Sequence, residues 1–184
     1  MTPNIYDLTT SSRIAWAYLQ RNPDYRYELR HYPATKNSNL KSELFPCSHQ
    51  TQSDLYARKW YLLTFNDPKT HSLPFWNPDL CYIALYGEVI NTESETGALP
   101  FLHLLRKANL DIKGLLLLDG RLCLNISSSS TTTQLMFPPG TTLNEHSEVK
   151  LILTFDMGLP IQNERAKTLW DVINGKAKKM PVLN

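Results

Sequence analysis

The sequence has few of the residues that chemistry most often needs. Only seven of its 184 residues are glycine, and they form no phosphate-binding loop or G-x-S-x-G elbow; an H-E-x-x-H pair and a calcium-binding loop are also missing. The leucine run 115–118 ends at Asp119, and no apolar stretch approaches the roughly 18 residues that a membrane span needs. The opening Met1-Thr2-Pro3-Asn4 has neither the basic nor the apolar region of a secretory signal, so a cytoplasmic location without a membrane partner is expected. Cys47, Cys81 and Cys123 are odd in number, far apart and without a C-x-x-C pair. That pattern excludes a disulfide framework and a zinc ribbon, and predicts buried free thiols. A formal net charge of +2 is too small to mark a nucleic-acid binder by its overall field, so the placement of charge matters more than its total.

What is present is the composition of a packed protein: 42% hydrophobic, 10% aromatic and 20% charged residues, which excludes a mostly disordered chain. The length suits one domain or two small sub-domains sharing an interface. A helical hairpin and linker are expected over 1–58, and an α+β part over 59–184, together forming one unit.

Ser11 or Ser12 reads as the N-cap of a first helix with Ile14, Ala17 and Tyr18 on its apolar face. Asn22-Pro23 stops it and starts a second, on which Tyr25, Leu29 and Tyr32 share a face before Pro33. Residues 34–55 are polar and read as a connection. Strands are predicted over 59–65, closed by Asn66-Asp67-Pro68, and over 81–90; Phe75 and Trp76 before Pro78 plug a core. Phe101, Leu104, Leu105 and Ala108 predict a short helix over 100–109. Asp119-Gly120 predicts a hairpin joining 115–118 to 121–126, its two residues supplying positive φ angles. Strands over 134–137 and 149–155 extend it into an antiparallel meander, with 127–133 a linker or edge. Ala166, Leu169, Trp170 and Ile173 form the apolar stripe of a closing helix capped at Gly175. The class is α+β: an N-terminal helical hairpin and a C-terminal helix around an antiparallel sheet.

No catalytic site, metal site or cofactor site emerges. The five histidines are isolated, and Cys47 with His49 has no second pair to complete a tetrahedral metal site. Asp54, Asp67, Asp79, Asp111, Asp119 and Asp156 mostly stand beside turns, where backbone hydrogen bonding favours aspartate. Two basic groups remain: Arg13, Arg21, Arg26 and Arg30 on the hairpin, and Lys176, Lys178 and Lys179 after the last helix. Both fit phosphate contacts that position DNA without reading its sequence. The competing reading pairs the arginines with Asp24 and Glu28 on a solvated face and sets the lysines against a helix C-terminus. Trp16, Trp60, Trp76 and Trp170 suit core packing or, alternatively, an association surface.

The stretch Ala15-Trp16-Ala17-Tyr18-Leu19-Gln20-Arg21-Asn22-Pro23-Asp24-Tyr25-Arg26 resembles the opening signature, W-x-F-L-R-R-N-P-x-Y-R, of the proteobacterial "transcriptional regulator domain" family. Lys59-Trp60, Asn66-Asp67-Pro68, Phe75-Trp76-Asn77-Pro78-Asp79 and Thr154-Phe155-Asp156-Met157-Gly158-Leu159-Pro160-Ile161-Gln162 follow in the family's order. The resemblance spans about residues 13–175. It implies an activator of excision and transfer genes on mobile conjugative elements, or of secretion and virulence operons. Such proteins normally carry a helix-turn-helix variant after this part, a module missing from a chain that ends at Asn184.

The resulting expectation is a non-enzymatic regulator. This segment supplies oligomerisation and protein contacts, and promoter DNA is bound mainly through the full-length protein or a partner subunit. A homo-oligomer, and contact with another regulator protein, are the partners expected. The alternative is an antiactivator or adaptor that binds protein and no DNA.

Overall fold

The structure, a computed structural model, describes residues 8–32, 44–70, 72–80, 84–90, 100–128, 131–153 and 159–174. Among them are four α-helices, one 3-10 helix and a six-stranded mixed sheet, an α+β arrangement.

Helix α1 (Leu8–Arg21) begins before the expected serine cap, and Ser12 lies buried inside it. Ser12, Trp16 and Leu19, at i, i+4 and i+7, form its inner face, with Trp16 only 3% exposed. The expected apolar face points outward instead: Ile14 is 65% and Tyr18 74% exposed. A serine in the inner row hid the true face from hydrophobic periodicity. Helix α2 (Pro23–His31) follows as predicted. The Asn22 Oδ1 accepts the backbone N–H of Asp24 at 2.9 Å and of Tyr25 at 3.2 Å, and Pro23 needs no donor at N1. Tyr25 is fully buried, and Leu29 and Tyr32 pack beside it.

The region 52–60 departs from expectation. Gln52–Trp60 is a 3-10 helix rather than connection followed by strand. At its start the Asp54 carboxylate accepts the backbone N–H and the hydroxyl of Thr51, both at 2.7 Å. The sequence Thr51-Gln52-Ser53-Asp54 is a helix-start pattern, so the signal was present. Tyr61 leaves the helix with a left-handed φ of 61°, and Leu62 then forms a single antiparallel bridge with Trp76. The turn at Asn66-Asp67-Pro68 is as predicted, closed by the Thr70 N–H donating to the Asp67 carbonyl at 3.0 Å.

The strands are β1 (Cys47–His49), β2 (Ala84–Ile90), β3 (Asp111–Leu116), β4 (Leu122–Ser127), β5 (Thr132–Phe137) and β6 (Glu148–Ile152). Their order in the sheet is β1-β3-β4-β5-β2-β6. The meander is β3-β4-β5, but the sheet is not wholly antiparallel: β1 runs parallel to β3, β2 runs parallel to β5, and β6 pairs with β2 rather than β5. Residues 132–133, expected in a linker, belong to β5 in the middle of the sheet. The β3–β4 hairpin is present with a different turn. Only Gly120 has a positive φ (84°), and Leu117 N–H donates to the Arg121 carbonyl at 2.8 Å, which leaves a three-residue loop. Gly114 allows the close approach of β1, since a Cβ there would lie 2.6 Å from the Phe45 ring.

One face of the sheet packs Leu124, Ile126, Leu135 and Phe137 against α3 (Phe101–Lys107) and α4 (Leu159–Ile173) through Phe101, Leu102, Leu105 and Leu169. Ala166 and Ile173 join that core, but Trp170 does not: it is 62% exposed, contrary to the predicted stripe. The other face buries Leu115, Cys123 and Met136 with Leu63. A third cluster ties Trp16 and Tyr25 to Ala57, Leu62, Phe65 and Trp76, so its contacts run across position 58. The buried Cys123 has its thiol pKa pushed up by desolvation, and Cys47, half-buried, shifts the same way. The expected contributions of Cys81, Pro33, Gly175 and residues 34–43 lie outside the described residues.

Candidate functional site

The junction of α1 and α2 determines where the hairpin arginines stand. The Arg26 Nε donates to the Gln20 carbonyl at 2.7 Å and the Arg21 Nη1 to the Ala17 carbonyl at 3.1 Å, so two guanidiniums meet the C-terminal end of α1, where the helix dipole is negative. Arg30, one turn after Arg26 on α2, is exposed. Glu28 is not their partner; it accepts from Lys59 and from the Trp60 Nε1 at 2.8 Å. Among the described residues no ion pair involves Arg21, Arg26 or Arg30. Pairing with Asp24 and Glu28, the competing sequence reading, is not what the hairpin adopts. Tyr27 and His31 add an exposed ring pair on α2, with centroids 4.6 Å apart. Lys176, Lys178 and Lys179 lie outside the described residues.

Arg13 stands apart from the other three arginines. It lines a cavity of about 590 Å³ between α1 and one end of the sheet, together with Trp16 and Gln20 from the same helix and Lys113, Ser127 and Thr132 from the strands. A neighbouring cavity of about 800 Å³ shares the wall formed by Thr70, Ser72, Leu73 and Lys113 and extends to Arg30 and Lys69. The cations lining the two cavities are Arg13, Arg30, Lys69 and Lys113; the carboxylates are Asp67 and Asp111. The balance is positive. Lys113, Ser127 and Thr132 were not singled out in the sequence, because residues on separate strands meet only through the sheet register and leave no local motif, and Lys69 stands in a turn with no basic neighbour in sequence.

The floor of the first cavity follows from that register. Asp111 lies opposite Ser127, and Ser127 opposite Thr132, as one row across β3, β4 and β5; Lys113, Asn125 and Gln134 form the next usable row on the same face. Gln134 and Asn125 are occupied: Gln134 pairs with the backbone of Trp76, and the Asn125 Nδ2 donates to the Leu73 and Pro74 carbonyls at 3.3 and 3.2 Å. Lys113 and Asp111 are 3.8 Å apart, and the Thr132 hydroxyl donates to Ser127 at 3.2 Å. The Trp16 indole N–H is buried, with no acceptor among the described residues. The Trp76 indole N–H in the same core cluster is likewise buried with no acceptor among the described residues; an unpaired buried donor costs about 1–3 kcal/mol.

On the outer side of α1, Ile14 and Tyr18 meet Tyr61 around an apolar depression of about 640 Å³. Asp67, Asp79 and Asp119 serve structure, and Asp156 lies outside the described residues. Arg121 donates to both carboxylate oxygens of Asp79 at 3.2 Å and from Nε to Asp119 at 2.8 Å; Asp67 accepts the Lys69 backbone N–H at 2.8 Å. Among the described residues, no three His, Cys, Asp or Glu side chains are placed to hold a metal ion, and no helix is long and apolar enough to cross a membrane. No protein-family model matches the sequence, and comparison with curated proteins gives no significant match.

Proposed function

We propose that this chain is part of a DNA-associated bacterial transcriptional regulator that acts in the cytoplasm, with its helical hairpin serving both self-association and sequence-independent contact with phosphates. The observation that carries this reading is the outer surface of the hairpin: exposed Ile14 and Tyr18 beside Tyr61, and Arg21, Arg26 and Arg30 with no carboxylate partner among the described residues. Contiguous exposed apolar side chains mark association surfaces, and exposed guanidiniums free of carboxylates suit phosphate oxygens. Individually weak phosphate contacts gain effective affinity when copies assemble on repeated half-sites. In this reading the hairpin and the closing helix are arranged around the meander as a scaffold, and base recognition belongs to another module or subunit. The ordered motifs that resemble those of the regulator family favour the same class.

Sedimentation velocity over a concentration series, combined with promoter-fragment titrations at rising salt, tests the proposal. Self-association and a DNA affinity that falls steeply with salt are expected. A monomer at every concentration would remove the assembly role. Self-association without DNA affinity at low salt would overturn the regulator reading in favour of a pure protein-binding adaptor.

A further inference from the structure

We infer that the cavity of about 800 Å³ between α2, the turn at Asp67 and the β1 edge of the sheet is a binding site for a small aromatic monocarboxylate. The chain segment that covers this end of the sheet is the starting point. Leu63 packs toward the sheet with Leu115 and Met136, whereas Leu62 and Phe65 pack toward the hairpin with Trp16 and Tyr25. Thr64 falls between these two cores, and they do not close over it. The cavity opens there, bounded by Leu29, Pro46, Phe65, Leu73, Phe75 and Leu115. Its size and largely apolar wall suit a small organic molecule that buries most of its surface. Two of the bounding side chains are rings, Phe65 at 2% exposure and Phe75 half-buried, and rings pack favourably against an aromatic body.

The polar groups define the rest of the ligand. Thr64 is only 7% exposed, yet its hydroxyl makes no hydrogen bond among the described residues and is open to the cavity it lines. A buried hydroxyl ordinarily has a partner, as the Thr70 hydroxyl on the same wall has in the Asp67 carbonyl at 2.8 Å. Arg30 from α2 and Lys69 from the turn also line the cavity, and neither makes an ion pair among the described residues. The third cation, Lys113, already faces Asp111 at 3.8 Å, and Asp67 offsets part of the charge that remains. The surplus fits one negative charge rather than a phosphate dianion, and a carboxylate accepts paired N–H donors from a guanidinium. The Thr64 hydroxyl supplies one further hydrogen bond deep in the apolar wall.

Isothermal titration calorimetry on the full chain, with indole-3-acetate, indole-3-acetamide, octanoate and inorganic phosphate as probes, tests the site. Indole-3-acetate is expected to bind at least about tenfold more tightly than each of the other three, since both the charge and the ring are read. The double variant Arg30→Gln/Lys69→Gln, at two exposed positions, is expected to weaken its binding about tenfold. Thr64→Val, close in shape but without the hydroxyl, is expected to weaken it severalfold. Lys167→Gln on α4, across the sheet, is expected to bind as the wild type does, and far-UV circular dichroism checks that all the variants fold. No heat with indole-3-acetate would overturn the proposal. So would equal or tighter binding of the amide, octanoate or phosphate, unchanged affinity in the folded double variant and Thr64→Val, or the same loss in Lys167→Gln. The titrations contain no DNA, so failure of this site leaves the regulator proposal standing.

Discussion

Gln134 holds Trp76 as a neighbouring strand would: its Nε2 donates to the Trp76 carbonyl at 2.7 Å, and its Oε1 accepts the Trp76 backbone N–H at 2.8 Å. The side-chain amide thereby satisfies the backbone of Trp76, which among the described residues is otherwise tied to a strand-like partner by a single bridge, to Leu62. Gln134→Leu leaves both backbone groups buried without partners and is expected to cost about 2–4 kcal/mol. Urea denaturation measures this as a lower midpoint with an unchanged slope.

Tyr25 has an analogous role at Asn66. Its hydroxyl donates to the Asn66 carbonyl at 2.9 Å and accepts the Asn66 N–H at 3.0 Å, and burial raises its pKa from 10.0 to about 12. Because the folded form holds the proton more tightly, this stabilisation is complete below pH 10 and is lost as pH rises toward 12, by about 2–3 kcal/mol. The thiols of buried Cys123 and half-buried Cys47 shift in the same direction. Tyr25→Phe is expected to be less stable at pH 7 yet to lose less stability between pH 10 and 12. Parallel denaturant titrations at both ends of that range check the crossover.

Elements with a local signature were legible in the sequence. Asn22-Pro23 determines the start of α2, Asp119-Gly120 marks the hairpin, and Phe101 with Leu105 identifies α3. The misreadings share a physical cause. Ile14 and Tyr18 are apolar but exposed, Trp170 likewise, and Ser12 is polar but buried, so hydrophobic periodicity selects the wrong side of α1 and overstates the stripe on α4. The parallel pairings of β1 with β3 and β2 with β5 join segments far apart in sequence, which no turn residue announces. The candidate site was legible only in part. Arg13 and Arg30 were singled out by charge, whereas Lys113, Ser127 and Thr132 gain meaning only from strand register.

The outer face of α1 yields a prediction about assembly. Ile14 and Tyr18 contribute little to the fold because both are largely exposed. Ile14→Asp and Tyr18→Asp are therefore expected to change folding stability by no more than about 0.5 kcal/mol while abolishing self-association. Light scattering coupled to size-exclusion chromatography, with thermal melts as the fold control, separates the two effects. Loss of folding in both variants would assign these residues to the core instead.

The hairpin arginines supply the most direct measurement of the central claim. Each phosphate contact contributes about 0.9 to the slope of log affinity against log salt on duplex DNA. Replacing Arg21, Arg26 and Arg30 together by glutamine is expected to reduce that slope by about 2–3 in fluorescence-anisotropy titrations of a promoter duplex, with the fold unchanged by circular dichroism. A wild-type chain with no measurable DNA affinity at low salt, or a triple variant whose slope equals that of the wild type, would contradict the account.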